Sequence, residues 1–261
     1  MTDLSSLFKS HRSIRKFATK PIDSTLIEKV CDEAIAGASS SGNMNSVSIV
    51  ITRDEDRRKR LHELHFKQDM ILSAPLLLTF CADFHRTRAW LARRSARDNF
   101  DNLIGYHVAA FDAMIVAQNV CLGFQARGLG ICYMGSTLHS MTEIAAFLEL
   151  PETCVPVTTI VVGYPDETPE KRDRLPLTAF LHDERYRHPD GESIDAIYAE
   201  RERIAWERWT SNPATLARLA EHGIENVAQA YTCKIKYDRD TFRKDSKKLK
   251  QLLEAKGFLQ D

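Results

Sequence analysis

Residues 104–126 read IGYHVAAFDAMIVAQNVCLGFQA, and this apolar segment decides the fold class of the chain. It carries Asp112 and Gln118 inside a run of mostly apolar or small residues, and Gly128 and Gly130 end it as glycines commonly end helices. A helix that is apolar around its whole circumference has to be buried on nearly all sides. The segment therefore predicts a central core helix, and a second subunit is one candidate for part of its cover.

Four shorter apolar runs on either side of this helix predict β-strands. Residues 47–52 are rich in β-branched side chains, and residues 76–82 form the continuous apolar run of a strand that is covered on both faces. Residues 130–135 and 155–163 follow the helix and have the same character. The chain therefore combines a sheet with a buried helix.

Helical patterns occupy most of the remaining chain. They are predicted over residues 5–11, 21–38, 54–64 and 86–97, the last a basic amphipathic stretch that forms an exposed helix or a lid. Beyond Pro189 the chain is polar and helical. We predict an α+β fold with a central mixed β-sheet flanked by helices. Residues 1–188 form the main domain, and residues 189–261 form a helical C-terminal extension packed on the same fold.

The charge balance and the cysteine pattern exclude several classes of protein. The chain has 36 basic and 36 acidic residues, so no net field attracts nucleic acid or an anionic membrane surface. The first ten residues lack the pattern of a signal peptide, and no apolar run is expected to reach the length of a membrane helix. The six cysteines are scattered without a C-x-x-C pair, which is typical of reduced thiols in a cytoplasmic protein.

Signatures of hydrolases, metalloenzymes and Rossmann folds are absent from the sequence. It contains no G-x-S-x-G, H-E-x-x-H or P-loop motif. Gly128 and Gly130 follow a helix instead of a strand, and Gly135 comes two residues too late for a dinucleotide fingerprint. His62 and His65 are three apart but lack the further ligands of a metal set, so both are expected on an exposed helix face.

Two basic segments could bind a phosphate group. In residues 11–17, His-Arg-Ser-Ile-Arg-Lys-Phe, Arg12 and Arg15 are three apart and Ser13 adds a neutral donor. Guanidinium groups match phosphate oxygens in a two-pronged geometry. Residues 171–176, Lys-Arg-Asp-Arg-Leu-Pro, again bring cationic groups close together. Taken singly, each segment is also explained as a basic surface turn, and that explanation stays open.

In combination, these segments resemble the nitroreductase family, and most closely its branch of NADPH-dependent flavin and nitroarene reductases. The matching pieces occur in family order over about residues 5–188. They are the opening motif at residues 11–17, the flavin-edge loop from Ser39-Ser40-Ser41 to Met44-Asn45, and Gln68 before Ser73-Ala74-Pro75 and Phe80-Cys81-Ala82-Asp83. They continue with the central helix from Asp112 to Asn119, its exit at Gly128-Leu129-Gly130, Met134-Gly135 beside the flavin ring, and the phosphate-binding segment Arg172-Asp173-Arg174-Leu175-Pro176.

The resemblance implies an FMN site and its residues. The FMN phosphate and ribityl chain would be held by His11, Ser13, Arg15, Arg172 and Arg174, with Arg12 and Lys171 nearby. The ribityl hydroxyls or the polar edge of the ring would bond to Ser39, Ser40, Ser41 and Gln68, and the ring would lie against Met44 and Asn45. The other side of the ring would be lined by Tyr133, Met134, Gly135 and Ser136. The register of the second basic segment stays open by one residue, because Lys171 and Arg172 are both available.

The implied activity is ping-pong hydride transfer from NADPH or NADH, through FMN, to a small aromatic acceptor such as a nitro compound, a quinone or free flavin. FMN carries this chemistry itself, so no catalytic residue is named. A preference for NADPH would need an extra cation for the 2′-phosphate, for which Arg201, Arg203, Arg208 and residues 86–97 are candidates. Two alternatives stay open: a flavin carrier or sensor without turnover, and an interaction protein that docks through residues 86–97 and the helical tail.

The resemblance also implies a homodimer whose site lies at the subunit interface, with helix and tail segments exchanged between subunits. The expected partners are therefore a nicotinamide nucleotide, a small aromatic acceptor and a second copy of the chain. Neither nucleic acid nor a membrane is an expected partner, and no metal site is expected.

Overall fold

The computed structural model describes residues 3–234 and 236–260. These residues form two compact units. The first contains the residues up to Lys171 together with those from Asp245 onward, and the second is Arg172–Lys244.

The first unit is built on a four-stranded sheet in the order β1-β2-β4-β3, with β1 at Val47–Thr52, β2 at Leu76–Asp83, β3 at Gly130–Met134 and β4 at Cys154–Gly163. All four predicted strands and the α+β class are confirmed. The three pairings are all antiparallel, so the mixture of strand directions that we expected is not found in the described sheet. The unbroken apolar run of β2 reflects cover on both of its faces and not parallel neighbours, because all eight of its residues are buried.

Eleven α-helices are found in the described residues. They are α1 (Leu4–Ser10), α2 (Ser24–Ala36), α3 (Glu55–Leu64), α4 (Met70–Ser73), α5 (His85–Ala92), α6 (Leu103–Gln125), α7 (Met141–Phe147), α8 (Gly191–Thr210), α9 (Pro213–Glu221), α10 (Val227–Thr232) and α11 (Arg239–Ala255). Most begin at a side chain that satisfies free backbone N–H groups, as Asp23 does for α2 and Asn102 for α6.

Alternate side chains of β2 divide the core into two apolar clusters. Leu77 and Cys81 belong to one cluster, whereas Leu78 and Phe80 belong to the other, as the two-residue period of a strand requires. The second cluster also takes in the buried side of α6. The sheet is therefore enclosed by apolar side chains on both faces, and its strand ends and loops remain for polar chemistry.

Helix α6 is buried on one side only within this chain. Ile104 and Phe111 are 71% and 61% exposed, and Met114 and Ile115 lie along the same side. The prediction of burial on nearly all sides is therefore wrong for the single chain. The opposite side packs into the second apolar cluster, so α6 presents two apolar sides of which one is covered.

Helix α6 is long and apolar enough to cross a membrane by length and composition alone, so the expectation that no apolar run would reach that length is wrong. The mean hydropathy of its most apolar 18-residue window is 1.3, and 44% of that window is buried. Core helices of soluble proteins can have the same length and hydropathy, and this one packs on the sheet.

Helix α5 carries the basic stretch that was predicted as an exposed helix or a lid. It is helical from His85 to Ala92, which confirms the helix. Its Arg86 donates to the buried Asp83 carboxylate at 3.1 Å and to the carbonyl oxygens of Asn45 and Val47 at 2.9 and 3.0 Å. The first turn of α5 is therefore fastened to β1 and β2.

The second unit contains helices α8, α9 and α10. Two of the arginines suggested for a nucleotide phosphate are held by acids within it. Arg201 pairs with Asp173, and Arg203 pairs with Glu200 at 2.7 Å and with Glu207 at 3.0 Å. Their charges are thus already compensated by neighbouring carboxylates.

Candidate functional site

The basic segment at residues 11–17 lies along the edge of strand β3. The Ile14 amide donates to the Ile131 carbonyl at 2.9 Å, and Phe17 forms an isolated bridge with Pro165. Ile14 and Phe17 are buried, and each approaches a glycine so closely that an added Cβ would lie 2.6 Å from Ile14 at Gly130 and 2.7 Å from Phe17 at Gly163. These two apolar anchors fix the backbone that carries Arg12, Ser13 and Arg15.

The guanidinium groups of Arg12 and Arg15 have no carboxylate partner in the described residues. Arg12 donates to the Pro169 carbonyl at 3.1 Å and to the Ser10 carbonyl at 3.2 Å. Glu167, an acid close to the segment, accepts backbone amides instead, from Arg15 at 2.5 Å and from Lys16 at 3.2 Å. The segment thus keeps its backbone in place with an acid and leaves two cationic side chains available for an anion.

Three further contacts define the surroundings of these cations. Lys171 donates to the Lys9 carbonyl at 2.6 Å, which places the end of the first unit beside helix α1. His11 Nδ1 meets the amide of Gln125 at 2.9 and 3.2 Å, so one ring nitrogen is already engaged. Burial raises the pKa of the Cys132 thiol, although the nearby Arg15 charge and Ser13 hydroxyl oppose that shift. Ser13 and Arg15 therefore adjoin β3.

Residues 39–45, the predicted flavin-edge loop and here called the serine loop, are held in place by a buried carboxylate. Asp112 on α6 accepts from the Ser40 hydroxyl at 2.7 Å, from the Ser46 amide at 3.0 Å and from the Ser41 amide at 3.3 Å. The Ser40 oxygen in turn accepts from the Asn45 amide at 2.7 Å. Ser40 is thus committed to the loop. The hydroxyls of Ser39 and Ser41 have no bond to any other described residue.

The loop takes a backbone path that few residues adopt. Gly42, Asn43 and Asn45 have φ angles of 58°, 56° and 54°, in the left-handed region. Glycine and asparagine tolerate that region better than other residues. Asn45 also donates through its side-chain amide to the Asn43 carbonyl at 2.8 Å, so its amide is occupied within the loop. Met44 packs against the first apolar cluster.

A polar cluster lies just beyond the end of β3, on the turn Gly135–His139. The Ser136 hydroxyl oxygen is 2.9 Å from Gln68 Nε2, which donates to it, and 2.8 Å from His65 Nδ1. Ser136 and Met134 are buried, whereas Tyr133 turns to the opposite face and donates to Gln118 of α6 at 3.3 Å. The structure therefore brings Gln68 and Ser136 into contact, and their part in one site stays a prediction.

The predicted residues fall into three local groups of the first unit, with strand β3 linking two of them. The predicted phosphate-binding residues lie along the start of β3, and the Gln68–Ser136 pair lies beyond its end. The loop of residues 39–45 is held by Asp112. Arg172 and Arg174 belong to the second unit, where Arg174 donates to the carbonyls of Arg172 and Asp173 at 3.3 and 2.9 Å. Their part in the same site stays a prediction.

Comparison with known proteins decides the family. The model of the Nitroreductase family matches residues 8–164, which is more than half of the chain. The chain belongs to the nitroreductase family. It is 34% identical over 199 residues to the NADPH-flavin oxidoreductase of Vibrio harveyi, covering 74% of this chain and 81% of the relative. It is 30% identical over 195 residues to the FMN reductase [NAD(P)H] of Bacillus subtilis (strain 168), covering 73% of this chain and 77% of the relative.

Solved structures agree with this assignment. A crystal structure of a protein from Bacteroides fragilis NCTC 9343 superposes with a TM-score of 0.88 at 35% identity, covering 97% of this chain and 99% of that one. The likeness to this structure therefore extends over nearly the whole chain, including the part beyond residue 189 for which the sequence alone offered little resemblance.

The residues present suit the FMN that the nitroreductase family implies. A phosphate monoester needs cationic donors that no carboxylate has claimed, and Arg12 and Arg15 provide them. A polar heteroaromatic ring needs fixed amide and hydroxyl groups, which Gln68 and Ser136 offer. No group of three or more His, Cys, Asp or Glu side chains that could hold a metal ion occurs in the described residues. The donor set thus matches a phosphorylated flavin.

Two residues that hold these candidate groups together, Asp112 and His65, were not predicted in that role. Asp112 was noticed as a polar residue inside an apolar helix, and that position is the signal of a buried carboxylate with backbone partners. His65 was expected to be exposed, but it has no exposed surface, and the side chain of His62 is only 17% exposed. His65 is buried because it continues the face of α3 that carries the buried Leu61 and Leu64, and its backbone amide still donates to the Leu61 carbonyl at 2.9 Å.

Proposed function

We propose that this protein is an FMN-dependent NAD(P)H oxidoreductase that passes reducing equivalents to a nitroaromatic, quinone or flavin acceptor. One observation carries the proposal: the two guanidinium groups of Arg12 and Arg15, on a backbone fixed by buried anchors, lack any carboxylate partner in the described residues. The names of two relatives, an NADPH-flavin oxidoreductase and an FMN reductase that uses NAD(P)H, support the same activity.

We assign the cofactor contacts of the first unit as follows. The phosphate and ribityl chain are bound by His11, Arg12, Ser13, Arg15 and Lys171. The ring and its hydroxylated chain contact the loop of Ser39, Ser40, Ser41, Met44 and Asn45, with Gln68 and the segment Tyr133, Met134, Gly135 and Ser136 on the other side. Because Ser40 and the Asn45 amide are engaged within the loop, we expect Ser39 and Ser41 to supply its free hydroxyl donors.

The protein's own part in the reaction is binding and orientation. When bound, FMN supplies the hydride-accepting and electron-donating chemistry of a ping-pong cycle, so no side chain has to act as a nucleophile. The arginines anchor the anionic end, and Gln68 and Ser136 fix the polar edge of the ring. Proton delivery from water completes the acceptor's reduction. We propose NADPH as the preferred donor on the strength of the Vibrio harveyi relative's name.

The first test is the absorption spectrum of the purified protein, before and after anaerobic addition of NADPH or NADH. A bound flavin that bleaches on addition is the expected result, and the faster nucleotide identifies the donor. A protein that stays colourless after reconstitution with FMN would contradict the cofactor assignment. A bound flavin that neither nucleotide bleaches would contradict the oxidoreductase assignment and leave a flavin carrier.

Removal of one phosphate anchor should weaken FMN binding strongly. Arg15→Ala deletes a charge-assisted bond worth about 1.5–3 kcal/mol, so the Kd for FMN should rise roughly 10- to 150-fold. Lys16→Ala is the matched control, because it removes the adjacent exposed cation and should change the Kd less than about threefold. Fluorescence titration measures both values. Equal effects of the two substitutions would show that only the net charge of the segment matters.

We also propose that the protein is a cytoplasmic homodimer that uses the exposed side of α6. Leu103, Ile104, Phe111, Met114 and Ile115 form an apolar stripe on that side at helical spacing. Isolated soluble chains rarely expose such a continuous apolar surface. Cys81, Cys121, Cys132 and Cys154 are buried free thiols, which suits a reducing compartment.

A charge placed in this stripe should separate the subunits. We expect Phe111→Glu to change the mass measured by light scattering from two chains to one, because an unpaired charge in a packed interface is strongly unfavourable. Trp90→Glu, at a residue of α5 that is 56% exposed, should leave the mass unchanged. A Phe111→Glu protein that keeps the mass of two chains would place the interface elsewhere.

A further inference from the structure

The Ser136 hydroxyl joins two side chains that approach it from the same short segment. Its oxygen accepts from Gln68 Nε2 at 2.9 Å and lies 2.8 Å from His65 Nδ1. A hydroxyl has one hydrogen to donate and can accept through its lone pairs. The two contacts are therefore not independent, because each restricts how the other can be made.

His65 is a neutral imidazole with a single polar partner among the described residues. It has no exposed surface, and its Nε2 atom is buried without a hydrogen-bond partner there. Burial lowers the pKa of His65 to about 4, so the ring is uncharged at neutral pH. An apolar side chain would fill this place without an unpartnered nitrogen. The contact with Ser136 is thus the one polar interaction among the described residues that an imidazole makes at this position and an apolar side chain could not make.

The backbone between His65 and Gln68 supports this view. Phe66 and Lys67 both have a φ angle of 56°, in the left-handed region that residues other than glycine seldom adopt. This tight turn brings the side chains on either side of it to one hydroxyl, while Phe66 remains 62% exposed. Unfavourable backbone conformations of this kind persist where the surrounding structure fixes them, often at functional sites.

The position of the proton on His65 determines the orientation of the Gln68 amide. When Nε2 carries the proton, Nδ1 accepts the Ser136 hydrogen, and the Ser136 oxygen can only accept from Gln68. Gln68 then turns its NH₂ group to Ser136 and its oxygen away from it, which is the arrangement observed. When Nδ1 carries the proton, it donates to Ser136. Rotation of the Gln68 amide would then give the freed hydroxyl hydrogen an acceptor.

We propose that His65 is a positioning residue that acts through Ser136 to hold the Gln68 amide oxygen toward the imide N–H of the flavin ring. The inference rests on the proposed function, because it takes the flavin as the ligand. Ribityl hydroxyls both donate and accept, so they would not require a fixed amide orientation. The imide N–H can only donate, and it therefore needs an acceptor held in place.

The first experiment needs no flavin. Nitrogen-15 NMR of the imidazoles in the full-length, FMN-free protein at pH 7 should show His65 neutral, with its proton on Nε2. Ser136→Ala should change the Nδ1 signal of His65, because that nitrogen loses its donor, and should leave the His62 signals unchanged. The action of His65 on Gln68 through Ser136 is called the relay below. A proton on Nδ1, a charged ring, or a His65 signal that Ser136→Ala does not move would overturn it.

The second experiment compares FMN with its N3-methylated analogue, which lacks the imide donor. The wild-type protein should bind FMN about tenfold more tightly, the equivalent of one hydrogen bond. His65→Leu should bind the two flavins within about threefold, because Ser136 no longer fixes Gln68. His65→Asn places an amide oxygen where Nδ1 lies and should restore the preference. His62→Leu, which removes a neighbouring imidazole that does not contact Ser136, should keep it.

The outcomes separate the relay from the proposed function. A wild-type protein that binds neither flavin overturns the FMN assignment, and with it the ligand of the relay. If the wild type binds both flavins equally, or if a folded His65→Leu protein keeps the tenfold preference, the relay is wrong although FMN binding stands. Circular dichroism confirms that each variant is folded before its affinities are compared.

Discussion

Replacing Asp112 with alanine will lower the free energy of unfolding by about 4 kcal/mol and release the loop of residues 39–45. The Asp112 carboxylate is buried and accepts three hydrogen bonds, of which the Ser46 amide at 3.0 Å comes from a fully buried residue. Truncation leaves the Ser46 amide without its acceptor where water is excluded, and it also removes the acceptor of the half-buried Ser40 hydroxyl. Each bond to a charged group contributes about 1.5–3 kcal/mol, which sets the size of the effect.

Urea unfolding of the FMN-free protein measures this loss, and Asp112→Asn is the matched control. Asparagine keeps one oxygen, and that oxygen can still accept from both Ser40 and Ser46, so its loss should be smaller by at least about 1 kcal/mol. Asp112→Ala should also weaken FMN binding, because a loosened loop must be ordered again when the ligand binds. A stability within about 0.5 kcal/mol of wild type would show that the serine loop does not depend on Asp112.

A second large effect is expected in the pH dependence of stability, and His65 causes it. Burial lowers the pKa of its imidazole from 6.5 to about 4. Between these values the unfolded chain holds a proton on His65 that the folded protein lacks. Unfolding therefore takes up a proton, and stability falls as the pH falls from about 6.5 to about 4. Each pKa unit corresponds to about 1.4 kcal/mol, so the full loss is about 3 kcal/mol.

The measurement compares wild type with His65→Leu at matched pH values between 7 and 4, with no FMN present. Carboxylates that titrate in the same window affect both proteins alike, so the difference between the two curves isolates His65. We expect the wild type to lose about 3 kcal/mol relative to the variant as the pH falls. Parallel curves would mean that His65 is as accessible to protons in the folded protein as in the unfolded chain.

The fold could be predicted from the sequence wherever apolar residues recur with a simple period. The β-branched run at residues 47–52 and the apolar run at 76–82 became β1 and β2 with nearly the predicted bounds. The helix predicted over residues 104–126 is found at Leu103–Gln125 and ends shortly before Gly128, as predicted. Local signals suffice here, because each depends on neighbours along the chain and not on partners far away.

Features that depend on distant partners could not be predicted in the same way. The hydrogen bond from Ser40 to Asp112 joins residues 72 positions apart, and the hydrogen bond between His65 and Ser136 joins residues 71 positions apart. The prediction of a mixed sheet was wrong for the same reason. The continuous apolar run of β2 shows that both of its faces are covered, but it does not indicate the direction of the neighbouring strands. The sequence identified Gln68 and Ser136 as site residues only through family resemblance.

The place of α6 in the chain has a consequence for biosynthesis. Strand β4 lies between β2 and β3 in the sheet, yet both β3 and β4 follow α6 in the sequence. A ribosome that adds about 5–20 residues per second needs roughly 2–8 seconds to translate the 38 residues from the end of α6 to the end of β4. During that interval the nascent chain carries a membrane-length apolar helix, and two of the four strands that pack against it do not yet exist. We therefore expect translation of this protein to depend on chaperones that shield α6 until β4 arrives.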